Sequence, residues 1–239
     1  MRTKLTAFLL SFIFAYSVQA QSKGHFEYSA NLNSGFFYFT GKNVSSLTFM
    51  SMPSQGFDSY VTNPTGNESG FSYEIAGNIK RVTKFNFLYG MDVAYQSLQS
   101  RSSVNFVSPG FMYSSIMPAT GYAHLTNKFI DFAPFIGYRL PVKHLDIDIT
   151  AGIEIAPWLA SKEVAKATIT STQAVVESNK NLSKPNTDLR TRLGLSIYYN
   201  HFGINAGYSI GKINYYNQWA GGSIEAFTRF VRLGIAYRF

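Results

Sequence analysis

The chain contains no cysteine. Disulfides are therefore excluded as a source of stability, and burial and hydrogen bonding must supply it instead. Charge is scarce as well. Asp, Glu, Lys and Arg make up 14 % of the residues, against roughly 25 % in an average soluble protein. No apolar run reaches the ~18 residues of a bilayer-spanning helix, so helical membrane spans are excluded. Histidine is rare, with four in the chain. No metal-ligand spacing, phosphate-binding glycine loop or zinc motif is present, and no cofactor is expected. His25, His144 and His201 fall at predicted turns or at the amino-terminal edge, and His124 in a long connection with Asp131 further along. None has the supporting groups of a catalytic constellation, and no enzyme is expected.

Aromatic residues, by contrast, are abundant at 16 %. The first twenty residues, MRTKLTAFLLSFIFAYSVQA, place Arg2 and Lys4 before an apolar stretch from Leu5 to Tyr16, followed by Val18-Gln19-Ala20. That is the three-part pattern of a secretory signal peptide, with cleavage expected after Ala20 and a mature domain of residues 21–239. Loss of Arg2 and Lys4 takes the formal charge from +8 to +6. So small a positive balance on an exported chain gives no reason to expect nucleic acid as a partner.

Eight stretches alternate between apolar and polar residues with period two, the mark of strands with unlike faces. They cover residues 25–36, 71–82, 87–97, 129–140, 145–158, 187–199, 202–211 and 230–239. In the fourth, Phe135 breaks the alternation and Pro134 suggests a bulge. Short turns, TKFN, PVKH and NH, alternate strictly with the long connections 37–70, 98–128, 159–186 and 212–225. This rhythm predicts an all-β, eight-stranded, antiparallel up-and-down transmembrane barrel with its short turns in the periplasm. A further hairpin hidden in the first two long connections would make ten strands. A soluble lipocalin-like barrel is the competing reading of the same alternation. The polar parity argues against it, being poor in Lys and rich in Gly, Ser, Ala and Asn. Aromatics also gather at the strand ends. Phe26, Tyr28, Phe87, Tyr89, Tyr138, Tyr199, Phe202, Tyr237 and Phe239 fall at one rim, and Phe36, Phe71, Tyr73, Tyr95, Tyr208 and Phe227 at the other. Two such girdles suit the two headgroup layers of a bilayer.

The leader, the eight strands and the ending VRLGIAYRF resemble the small outer-membrane β-barrel family typified by OmpA and OmpX. The loop sizes and the use of Tyr, Phe and Asn are most similar to the "porin family" or PorT-like barrels of Bacteroidetes-type bacteria. The resemblance implies a Gram-negative outer-membrane location with both mature termini in the periplasm. It also implies contact with outer-membrane lipid and lipopolysaccharide, and insertion by the barrel-assembly machinery. In that family the last strand carries the assembly signal, which maps here onto Val231, Leu233, Ile235, Tyr237 and Phe239. A PorT-like role as an accessory of protein secretion is a further implication.

An eight-stranded barrel is just wide enough inside for side chains to fill it. The inward parity carries the acids Glu27, Glu74, Asp92, Asp131, Asp146, Asp148, Glu154 and Asp188, and the bases Lys80, Arg139, Arg190, Arg192, Arg232 and Arg238. Buried charge of one sign is costly, so mixed pairing is expected. Expected contacts are Arg238 with Glu27, Arg190 and Arg192 with Glu154, and Arg139 with Asp146 or Asp148. A salt-bridged plug is one outcome, and a narrow small-solute channel through the same groups the other. The long connections mix Ser, Asn and Thr with Phe, Tyr and Met, a composition suited to adaptable binding surfaces. In the third, KATITST and AVVES are expected to continue strands five and six as a protruding hairpin.

Overall fold

The alternation of the final stretch becomes an outward row, Val231, Leu233, Ile235, Tyr237 and Phe239, set against inward Phe230 and Arg232. A computed structural model of the protein describes residues 24–42, 44–52, 58–109, 116–182, 187–215 and 225–239; the predicted leader and Ala20 lie outside them. In chain order the strands are β1 (His25–Thr40), β2 (Leu47–Met52), β3 (Tyr60–Val61), β4 (Glu68–Val82), β5 (Phe87–Pro109) and β6 (Met117–Val142). They continue as β7 (Leu145–Ala156), β8 (Trp158–Ile169), β9 (Val175–Asn181), β10 (Asp188–Tyr199), β11 (Phe202–Gly211) and β12 (Phe227–Arg238).

Eight of these close on one another. β1 pairs with β4 on one side and β12 on the other, and the ring continues β4–β5–β6–β7–β10–β11–β12, every pairing antiparallel. Closure removes the free edges that an open sheet would leave. The seam runs without a register shift from Ser29↔Arg238 to Thr40↔Phe227. The fold is an all-β, eight-stranded antiparallel barrel.

The ends of this barrel differ. At one end the strands meet in short turns, two of which, Lys143-His144 and Asn200-His201, hold two residues each. Lys143 (φ 53°) and Asn200 (φ 52°) take the left-handed conformation that tight hairpins require at the first central position. At the other end β5 and β6 continue past the barrel, remaining paired as far as Val107↔Met117. β8 takes over from β7 as the neighbour of β6 beyond Pro157, whose carbonyl accepts from the Ile130 amide at 3.2 Å. β9 adds to β8, while β2 lies parallel to β5 and carries β3. The long connections thus build a six-stranded sheet in the order β3-β2-β5-β6-β8-β9. It curls around an apolar core of its own, which includes Met50, Val61, Val104, Val107, Ala119 and Ile169. β3 and β9 approach without pairing, and side chains close the gap between them. Lys180 donates to the Asp58 carbonyl (3.0 Å), and the buried Glu163 carboxylate accepts from the Val61 amide (3.1 Å) and the Ser178 hydroxyl (2.6 Å).

Two expectations change in detail. The third and fourth strands run far beyond 87–97 and 129–140, because the inward positions above the barrel are small and polar. Ser100 and Ser102 are buried there, so the apolar signal fades although the strand does not. The bulge expected at Pro134 does not form. The β5–β6 register passes through Met91↔Pro134 unshifted, and the β6–β7 ladder skips two positions and resumes in the same register. Pro134 faces outward and Phe135 lines the lumen.

Candidate functional site: an ionic lumen under an aromatic lid

Strand parity turns the outer wall apolar and the lumen ionic. Leu233, Ile235 and Ile136 are 62 %, 63 % and 70 % exposed, whereas Glu154 and Arg190 are 0 % exposed. The lumen is filled in layers, taken here from the short-turn end upward.

The first layer gathers Glu27, Lys80, Arg139, Asp146, Asp148 and Arg238. Arg139 reaches across the lumen and donates to both carboxylate oxygens of Glu27 (2.7 and 2.8 Å). Its other edge donates to both oxygens of Asp148 (2.6 and 2.8 Å). Such a two-sided fork is available to a guanidinium and not to an ammonium. Lys80 donates to Asp148 (2.5 Å) and lies 3.4 Å from Glu27. Arg238 bonds Asp146 at 2.7 Å and stands 3.4 Å from Glu27. The buried ring of Tyr198 receives both Lys80 (4.5 Å) and Arg238 (4.8 Å) over its face.

Above this layer lies a cavity of about 40 Å³ lined by Asn31, Asn78, Thr150, Ser196, Asn205 and side chains of both ionic layers. That volume has room for a few waters at most. The carboxamide oxygens of Asn31 and Asn78 lack a protein partner, which suits them to hold such waters.

The second ionic layer centres on two arginines. Arg232 bonds Glu74 (2.5 Å), Glu154 and the Ser209 hydroxyl. It lies across β11 beside Gly207, where a Cβ would come within 3.1 Å of its side chain. Arg190 donates to Asp188 (2.7 Å), to the Gln96 carbonyl (2.9 Å) and to Glu154 (3.2 Å). Arg192 pairs with Asp92 at 2.8 Å and stands 3.8 Å from Glu154. Gln96 donates to Glu74 (2.6 Å) and to Asp131 (3.2 Å). Asn33 donates to Glu74 (2.6 Å), and Asn78 to Asp92 (2.5 Å). Asp131 alone among these acids has no ion-pair partner among the described residues, and one of its oxygens accepts no hydrogen bond.

A lid of aromatic and aliphatic side chains closes the top, built from Phe37, Phe39, Leu98, Phe129, Trp158, Tyr215 and Phe230. Phe129 stacks on Trp158 at 5.1 Å, and Trp158 meets Tyr215 at 4.8 Å. The lid touches the layer beneath it. Arg190 lies over Phe129 (4.8 Å) and Arg232 over Phe230 (4.7 Å), while the Tyr215 hydroxyl donates to Asp188 (3.0 Å). Cation–π contacts of this kind gain strength when desolvated.

The structure therefore sorts the expected lumen residues into two groups, Glu27, Lys80, Arg139, Asp148 and Arg238 below, and Glu74, Asp92, Glu154, Arg190, Arg192 and Arg232 above. Sequence reasoning missed the lid. The signal was available, since Phe37, Phe39, Phe129 and Phe230 share the parity of the lumen charges. His25 lies 2.9 Å from Glu27, and His201 donates its Nδ1 proton to the Arg238 carbonyl (2.8 Å). His144 sits exposed in its turn. His124 packs on Tyr122 in the extension (5.0 Å), opposite Arg101. Burial, with the charge of Arg101, lowers the pKa of its imidazole.

No protein-family model matches the sequence, and no curated protein does. Among solved structures, the chain is similar to Ail, the attachment invasion locus protein of Yersinia pestis, in complex with the heparin analogue sucrose octasulfate. That alignment has 12 % identity over 90 % of this chain and 99 % of the other, with a TM-score of 0.36. Neisserial surface protein A aligns at 10 % identity over 89 % and 97 %, with a TM-score of 0.37. The translocator domain of the autotransporter NalP from Neisseria meningitidis aligns at 10 % identity over 100 % and 96 %, with a TM-score of 0.20. The likenesses are loose, and the eight-strand closure is read from this chain's own ladders.

Proposed function

We propose that this chain is a non-enzymatic integral outer-membrane protein whose lumen is a structural plug and whose six-stranded extension is a binding surface outside the cell. The observation that carries the reading is the inversion of the usual soluble pattern. Large apolar side chains cover the outside of a closed barrel, while its charged side chains are paired inside. In water this arrangement would expose apolar patches far larger than monomeric soluble proteins carry. In a bilayer it is favourable, since closed antiparallel ladders pair backbone groups that would otherwise face lipid. The barrel portions of β10, β11 and β12, at 12, 10 and 12 residues, fit the roughly 9–11 needed to cross at a tilt.

In this reading the short turns and both mature termini face the periplasm, and the extension faces outward. The outward row ending at Phe239 is available to the barrel-assembly machinery, and the wall above it to lipid and lipopolysaccharide. The narrow-channel alternative is less well supported, because among the described residues a 40 Å³ cavity between two ionic layers opens no path past the lid. The test is fractionation of the cell envelope with gel migration before and after boiling, followed by planar-bilayer recording. Compact, heat-modifiable migration in the outer-membrane fraction without porin-size currents is expected. Recovery in the soluble periplasmic fraction would overturn the reading.

A further inference from the structure

We propose that the short-turn end of the barrel is a docking ring for anionic phospholipid headgroups in the periplasmic leaflet. The inference rests on the membrane orientation proposed above.

Charge at this end is sorted by direction. The acids at this level, Glu27 and Asp146, turn inward, where Arg139 and Arg238 engage them. The charged side chains that point outward or occupy the turns are Arg81, Lys84 and Lys143, with His144 and His201 beside them. Among the described residues, no acidic side chain joins them on the outside of this rim. The extension is different, since there Lys166 pairs with Glu177 at 2.9 Å and Arg101 sits opposite Glu68. Outward side-chain charge that is cationic throughout is a property of this one end among the described residues.

Two of its cations rest on exposed aromatic rings of this rim. Lys84 sits 4.8 Å over the exposed ring of Phe85, and Arg81 sits 5.2 Å over that of Phe26. Aromatic girdles mark the two interfaces of an outer-membrane barrel, so cations resting on rim rings stand near the phosphates. Lys143 is carried out by its left-handed turn position. An apolar groove of about 780 Å³, lined in part by Ala30, Leu32, Phe202, Ile235 and Tyr237, runs on the outer wall near His201 and offers acyl chains a seat. Guanidinium and ammonium groups bind phosphate by charge-assisted hydrogen bonds. Near an anionic bilayer surface each Lys or Arg strengthens binding by roughly fivefold. A zwitterionic headgroup gains far less, so the ring selects net negative lipid.

The test uses the folded mature protein with phosphatidylglycerol and phosphatidylcholine as probes. Vesicle flotation and heat-modifiable migration first report whether the protein inserts. Native mass spectrometry then reads which lipid it retains from an equimolar mixture. Phosphatidylglycerol is expected to be retained preferentially. The preference should fall about fivefold per cation removed in R81Q/K84Q/K143Q, while K162Q/K166Q in the extension keeps it. Should the triple variant fail to fold, K84Q and K143Q singly give the same comparison. Equal retention of the two lipids by the unmodified protein, or an unchanged preference in the folded rim variants, would overturn the ring while leaving the membrane reading intact. Failure to float with either vesicle would instead sink the membrane reading itself.

Discussion

Arg139 on β6 holds Glu27 on β1 across the lumen through two parallel hydrogen bonds of 2.7 and 2.8 Å. The two strands are not neighbours in the ring, so this pair ties opposite parts of the wall together. Arg139→Ala is expected to leave Glu27 and Asp148 short of a buried partner and to cost about 3–5 kcal/mol. Urea titration of the heat-modifiable band measures it. Neutralising the cluster together with its lysine, as Lys80→Met, Arg139→Met, Glu27→Gln and Asp148→Asn, should recover much of that loss, because desolvation is relieved together with the attraction.

Asp131 makes the opposite prediction. It is fully buried, accepts from Gln96 alone and sits in a layer already holding Glu74 and Glu154. Asp131→Asn removes a buried carboxyl that no cation contacts among the described residues. The variant should be as stable as the unmodified protein or more so, by up to about 1–2 kcal/mol. Strong destabilisation in the same urea titration would show that the charge is needed.

Arg192 is the least enclosed arginine of the upper layer and borders the cavity. Arg192→Ala should destabilise the barrel yet yield no porin-size current in planar bilayers, because the lid and the Arg232 and Arg190 clusters remain. Large, steady currents would count against a plugged lumen.

The extension has its own core and should fail on its own. Val107→Asp places a charge among Met50, Val104 and Ala119, at a cost on the order of 3 kcal/mol or more. Protease should then cut the extension while the barrel keeps its compact migration.

His124 supplies a pH test in that extension. Its imidazole is held below its ordinary value of 6.5 by burial and by Arg101. The unfolded chain therefore takes up the proton more readily, and stability contributed here is present above about 6.5 and lost as pH falls from there through the folded ring's lower value. Nuclear magnetic resonance of the ring should show titration below that value, moving upward in Arg101→Gln.

Much of the barrel was legible because two-faced strands write their parity into the chain. Residues 202–211 and 230–239 read as strands and end within a few positions of β11 and β12. The meeting of Glu154 with Arg190 was legible for the same reason, since they share a parity and sit on adjacent strands, whereas the division into two layers was not. What escaped was structure whose two faces resemble one another. In β5 the buried Ser100 and Ser102 look like loop residues, and the strand appeared to stop. The lid escaped because Phe37 and Phe230 stand on the charged parity, where an aromatic ring looks like an interruption. Partners fixed by register, such as Tyr198 under Lys80 and Arg238, cannot be found without knowing how strands close.

The register between β5 and β6 runs unbroken from Phe87↔Tyr138 up to Val104↔Gly121. One unbroken length of ribbon therefore joins the lower part of the extension, at Val104 and Gly121, to the lumen groups Asp92, Gln96, Asp131 and Arg139. A pull on the ribbon at that height is delivered as shear to the ion pairs beneath.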